Sequence, residues 1–81
     1  MDQQRINNII EFLNELMEDV TISKNVKSSI GNILEILSSE IDLSLKVDKI
    51  HDILDELHED SNIDNFTRTQ LWNVMSMIDL L

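Results

Sequence analysis

No cysteine occurs in the chain, which excludes disulfides, thiolate metal sites and thiol nucleophiles. Proline is absent as well, and glycine occurs once, at Gly31. So few helix breakers favour an all-α fold. Cations are scarce: six Lys and Arg stand against sixteen Asp and Glu, for a formal charge of −10. Six scattered basic residues make no basic stripe, so binding to DNA or RNA phosphates is not expected. A basic protein partner is permitted by this charge, as is a role as an acidic mimic of nucleic acid; keeping a small protein soluble also accounts for it. No apolar run approaches the roughly 20 residues that cross a bilayer, and Met1–Asn8 is polar without an apolar signal region. A cytoplasmic protein with no membrane contact is therefore expected. Its 81 residues make one small domain, 1–81, whose core buries about 60% of the unfolded surface.

The chain repeats itself. Shifted by 41 positions, residues 9–37 fall on 50–78, and eight of the 29 pairs are identical, including Ile9/Ile50, Leu13/Leu54, Asp19/Asp60 and Ile22/Ile63. Apolar residues recur at three-and-four spacing within each half. Ile6, Ile9, Ile10, Leu13, Leu16 and Met17 form one stripe; Val26, Ile30, Ile33, Leu34 and Leu37 the next. Val47, Ile50, Ile53, Leu54 and Leu57 form a third; Leu71, Val74, Met75 and Ile78 a fourth. The spacing predicts helices near 2–18, 24–38, 43–58 and 65–79, grouped as repeat 1 (about 5–38) and repeat 2 (about 43–81).

Ser23 and Asp64 are equivalent under the shift and suit the N-cap of each second helix. Ile22 and Ile63 precede them as hydrophobic plugs, and Asp42 is offered as a cap for the third helix. Asp19 and Asp60 lie where a helix C-terminus disfavours an acid. Lys27 and Arg68 follow eight residues later. The pairs Asp19–Lys27 and Asp60–Arg68 are expected to bridge their turns, or else the acids accept from the next helix N-terminus. Either role is structural.

A period of 41 lies near that of HEAT and armadillo repeats, about 40–47 residues. An apolar helix, an Asp at the turn and then Val26-Lys27 or Thr67-Arg68 resemble the HEAT pattern, with a turn about two residues longer. Two tandem HEAT-like hairpins are fewer than the roughly three repeats of a solenoid. The hairpins must close into a compact bundle, or a second chain must cover the open end.

Few residues suggest chemistry. His51, Asp55 and His58 share one face of the third helix and are the best metal candidate. Carboxylate-bridged bundle sites need ligands from several helices, whereas both histidines here lie on one. Their equivalents, Ile10 and Met17, place them at the edge of an apolar stripe. The run Asp52, Asp55, Glu56, Glu59 and Asp60 reads as a solvated face, because general acid–base work needs a desolvated cleft. No serine lies in a nucleophile motif, and no glycine-rich phosphate loop is present. The expectation is a non-enzymatic protein with no cofactor.

Trp72 is equivalent to Gly31. One reading makes it a packing anchor filling space left by Gly31, with Arg68 stacked on the indole. The other makes it an interface anchor. Met75, Met77, Leu80 and Leu81 make the C-terminus apolar on more faces than one helix buries, and join Trp72 as candidate interface residues. A protein partner is expected, with a homodimer favoured.

Two segments resemble the archaeal uncharacterised protein family 0147: Asp19-x-x-Ile22-x-x-Asn25-Val26-Lys27, and Thr67-Arg68-Thr69-x-Leu71-Trp72-Asn73-Val74-x-Ser76. The similarity covers nearly the whole chain, and the second segment is the more specific. Members often carry prolines in both turns, where Ser23 and Asp64 stand here. The resemblance implies a small all-helical archaeal cytosolic protein and brings no activity, so no catalytic residue carries over. The sequence therefore predicts a helical interaction module. The alternative is a metal- or small-ligand-binding bundle using His51, Asp55 and His58.

Overall fold

The computed structural model describes residues 2–81 as four α-helices: α1 (Asp2–Glu18), α2 (Lys24–Ser38), α3 (Leu43–His58) and α4 (Asn65–Asp79). The four spans coincide with those expected from the apolar spacing, because each turn carries its own stop and start chemistry. Ser23 Oγ accepts from the Val26 N–H at 3.3 Å, and the Asp64 carboxylate accepts from the Thr67 N–H at 2.8 Å. Asp42 holds the N-cap of α3 without a side-chain capping bond. Only its backbone carbonyl contributes, accepting from the Lys46 N–H at 3.0 Å.

The helices form a closed ring in which α1 neighbours α2, α2 neighbours α3, α3 neighbours α4, and α4 returns to α1. Stacking of successive hairpins as in a solenoid would lay α1 on α3 and α2 on α4. Neither approach occurs among the described residues. The ring instead has the adjacency of a half-turn rotation that exchanges the hairpins, carrying α1 to α3 and α2 to α4. Its radius of gyration of 11.9 Å matches the roughly 12 Å expected of a compact chain of this length. The second hairpin thus covers the first, and no second chain is needed to complete the core.

Burial follows the rotation. The pairs Ile9/Ile50, Leu13/Leu54, Ile30/Leu71, Ile33/Val74 and Leu37/Ile78 are all buried. Val26 and Thr67 are buried as a pair too, so one polar side chain enters the core boundary. Ile22 is a buried plug, and Ile63 packs partly against the same core.

The rotation also relates two cations. Arg5 Nη1 donates to the Leu80 carbonyl at the end of α4 (2.7 Å), and Lys46 Nζ donates to the Leu37 carbonyl in the last turn of α2 (3.0 Å). Arg5 and Lys46 are 41 positions apart. Each supplies positive charge and a donor where a helix C-terminus lacks both. These contacts fasten α1 to α4 and α3 to α2, the two seams between hairpins. The alignment of 9–37 on 50–78 stops short of this pair.

The two turns within the hairpins follow one plan. The Asp19 carboxylate accepts from the Thr21 N–H at 2.9 Å, as the Asp60 carboxylate does from the Asn62 N–H at 2.9 Å. The backbone bonds Asp19 N to Leu16 O and Ile22 N to Asp19 O recur as Asp60 N to Leu57 O and Ile63 N to Asp60 O. Such side-chain turns are the local preference of aspartate. Among the described residues, no salt bridge joins Asp19 to Lys27 or Asp60 to Arg68. The carboxylates fold back on their own turns instead. Arg68 still spans its turn, but through carbonyls: Nη1 donates to His58 O at 2.9 Å and Nη2 to Asp60 O at 2.6 Å.

The Thr21 hydroxyl and then its N–H hold the Asp19 carboxyl below the ordinary aspartate range, and Lys27 adds a smaller charge effect. The Thr67 hydroxyl and N–H do the same for Asp64. The ionised forms are favoured in the folded chain. Their contribution is complete above the unfolded aspartate value of about 3.9 and is lost as pH falls through the lower folded values. Urea midpoints measured from pH 6 down are therefore expected to separate wild type from the D19N/D64N variant. The variant should show the shallower decline below about pH 4; parallel curves would refute this role.

Gly31 lies mid-helix with no positive φ, and a Cβ placed there meets nothing within 4 Å. Space does not require glycine at this position. Gly31→Ala is expected to raise stability by about 0.5–1 kcal/mol through helix propensity. Thermal unfolding tests this, and a lower Tm would contradict it.

Candidate interaction surface

Helix α4 buries Thr67, Leu71, Val74 and Ile78 and turns its opposite side to solvent. Phe66, Thr69, Trp72, Asn73, Ser76 and the capping Leu80 are exposed there, and none is ionisable. Trp72 is 58% exposed, Leu80 64% and Phe66 48%. The two charges within α4 are both engaged elsewhere. Arg68 serves the turn carbonyls, and Asp79 accepts from His51 Nε2 on α3 at 2.7 Å. Exposed Asp79, two helical turns after Trp72, is the one acid at the edge of this face on a chain of −10.

The repeat supplies a comparison within the same molecule. Helix α2 occupies the equivalent place, with Asn25 where α4 has Phe66, Gly31 where it has Trp72, and Glu35 where it has Ser76. The fold tolerates polar, absent and charged side chains at these positions. Phe66 and Trp72 are thus not demanded by packing.

Of the residues singled out from sequence, Trp72 and Leu80 lie on this face. Met75, Met77 and Leu81 are partly buried against the core. The two methionines flank the buried positions 74 and 78, so they fill core edges rather than project outward. Phe66 was missed, although its mismatch with Asn25 was visible. An open cleft of about 100 Å³ between α1 and α4, lined by Arg5, Asn8, Ile9, Met77 and Leu80, adjoins the C-terminal end of the face.

Trp72 fills no space at Gly31, which lies in the other hairpin and is open. Its ring partner is His58 rather than Arg68, with centroids 4.8 Å apart and planes tilted by 39°. This contact covers one side of the indole and leaves His58 Nε2 buried with no hydrogen-bond partner. His51 turns instead to Asp79, and Asp55 is exposed. The three candidate ligands do not converge, and no group of three His, Cys, Asp or Glu among the described residues is placed to hold a metal. Among the same residues, no helix is long and apolar enough to cross a membrane.

The sequence matches the Uncharacterised protein family (UPF0147) across residues 1–81. The chain belongs to this family. A UPF0147 protein of Thermoplasma volcanium is 33% identical, with 100% of this chain and 92% of the relative aligned. A UPF0147 protein of Methanothermobacter thermautotrophicus is 29% identical over 98% of this chain and 78% of its own length. A crystal structure of MMP1188, a protein of unknown function, superposes with a TM-score of 0.89 at 28% identity, covering 100% of this chain and 93% of that one.

So similar a backbone at 28% identity means that this architecture depends on apolar pattern and volume more than on particular side chains, as core substitution generally allows. The α4 face is where this member departs from its own first repeat.

Proposed function

We propose that this UPF0147 protein is a non-enzymatic interaction module of the cytoplasm, with two HEAT-like hairpins closed on each other as its frame and the outer face of α4 as its docking surface. The observation that carries this reading is that exposed Phe66 and Trp72 stand where the first repeat has Asn25 and Gly31. Large apolar groups that the fold does not need are retained at a cost in solubility, and Trp is enriched at binding hot spots.

The test compares wild type with a W72K/L80K variant as immobilised bait, using purified protein and an archaeal lysate in parallel. Wild type is expected to retain a protein, itself or another, that the variant loses. An N32K control on α2 should retain it. Both substituted side chains are exposed, so far-UV circular dichroism should be unchanged. Equal retention by wild type and W72K/L80K would remove the proposed surface.

A further inference from the structure

We infer that the α4 face pairs with the α4 face of a second copy, antiparallel, about a two-fold axis through Asn73. The inference rests on the docking surface proposed above and names its occupant. Three observations support it.

The first is electrostatic. Two copies of charge −10 repel wherever their acidic faces meet. The stripe Phe66, Thr69, Asn73, Ser76 and Leu80 on α4 carries no ionisable side chain, and exposed Asp79 at its edge is paired with His51. Two copies can meet along it without bringing acidic side chains face to face. A basic partner would gain nothing from this face and more from the acidic helices α1 and α3.

The second is symmetry. A two-fold interface requires a surface complementary to itself, each residue meeting the counterpart of its own partner. Phe66 and Leu80 each lie seven positions, two helical turns, from Asn73. An antiparallel pairing centred there sets Phe66 of each copy against Leu80 of the other. Trp72 points about 100° round the helix from Asn73, so the two indoles flank the seam on one side. At the axis itself, the Asn73 amide donates to Gln70 Oε1 at 3.1 Å, which leaves its own carbonyl oxygen free to accept across the seam.

The third is size. A helix of fifteen residues offers a seam of about 22 Å, at the low end of specific interfaces, below about 1,200 Å². Pairing is then reversible and concentration-dependent, which suits a chain whose core is already closed.

The absence of cysteine makes the test clean. Sedimentation equilibrium from about 1 μM to about 1 mM should show monomer passing to dimer, with the Trp72 emission maximum moving to the blue. Added salt should strengthen pairing, because it screens repulsion between two acidic bodies. Binding to a basic protein would weaken instead. Under mild oxidation N73C should cross-link to itself, and F66C to L80C when the two variants are mixed, while S28C on α2 should not. Wild type that stays monomeric throughout overturns self-pairing, as does a dimer whose S28C links faster than N73C. Either failure is distinct from failure of the docking surface, which would show as equal retention by wild type and W72K/L80K.

Discussion

Leu54→Ala is expected to lower the unfolding free energy by about 2–5 kcal/mol. Leu54 is completely buried at the centre of α3 and joins the same cluster as Leu13, Ile30, Ile50 and Leu71. Removing its isobutyl group loses the transfer free energy of the missing methyl and methylene groups and leaves a cavity the ring of helices cannot fully collapse into. A domain of this length has roughly 4–12 kcal/mol of stability in total, so this single change consumes much of it. Leu13→Ala, at the rotated position, should cost a similar amount. Leu57→Ala should cost less than Leu16→Ala, because Leu16 is buried and Leu57 only partly so. Urea unfolding followed by far-UV circular dichroism gives these differences. A loss below about 1 kcal/mol at Leu54 would be too small for a fully buried leucine and would contradict this core.

The second large effect separates the two halves of the repeat. Arg68→Ala is expected to cost about 1–3 kcal/mol, because it strips a charged donor pair from the carbonyls of His58 and Asp60. Those carbonyls close the C-terminal end of α3, and the His58 carbonyl is partly shielded from water. Lys27 is the counterpart of Arg68, yet among the described residues its side chain donates no hydrogen bond. Lys27→Ala should therefore change stability by less than about 0.5 kcal/mol. Arg68→Lys should restore only part of the loss, since one ammonium cannot reproduce a forked guanidinium reaching two acceptors. Equal costs at positions 27 and 68 would contradict this asymmetry.

The two turns explain why sequence reasoning found Arg68 and misread its bond. A shift of 41 correctly paired Asp60 with Asp19 and Arg68 with Lys27, and opposite charges eight residues apart suggested ion pairs. Aspartate at a helix end has a nearer choice, the N–H two residues on, which is reached without ordering a long side chain. Asp19 takes Thr21 and Asp60 takes Asn62, and Arg68 turns to carbonyls that lack donors. The same competition between near and far partners governs the histidines. Helical spacing put His51 and His58 on one face of α3, but each went to a different group on α4, Asp79 and Trp72.

The sequence by itself determined four helices, their limits, two capped turns and a core that repeats, because apolar period, N-caps and Asx turns act over a few residues and are written locally. It also marked Trp72, Met75, Met77, Leu80 and Leu81 as candidate interface residues. Only the tertiary structure decided that the hairpins close by rotation into a ring. That choice rests on α4 meeting α1, contacts far apart in sequence such as Arg5 with the Leu80 carbonyl, which no local pattern encodes. Closure turned Met75, Met77 and Leu81 toward the core and left Phe66, Trp72 and Leu80 outside, on a face whose one acid, Asp79, is paired with His51. Which apolar groups end inside depends on where the other helices lie.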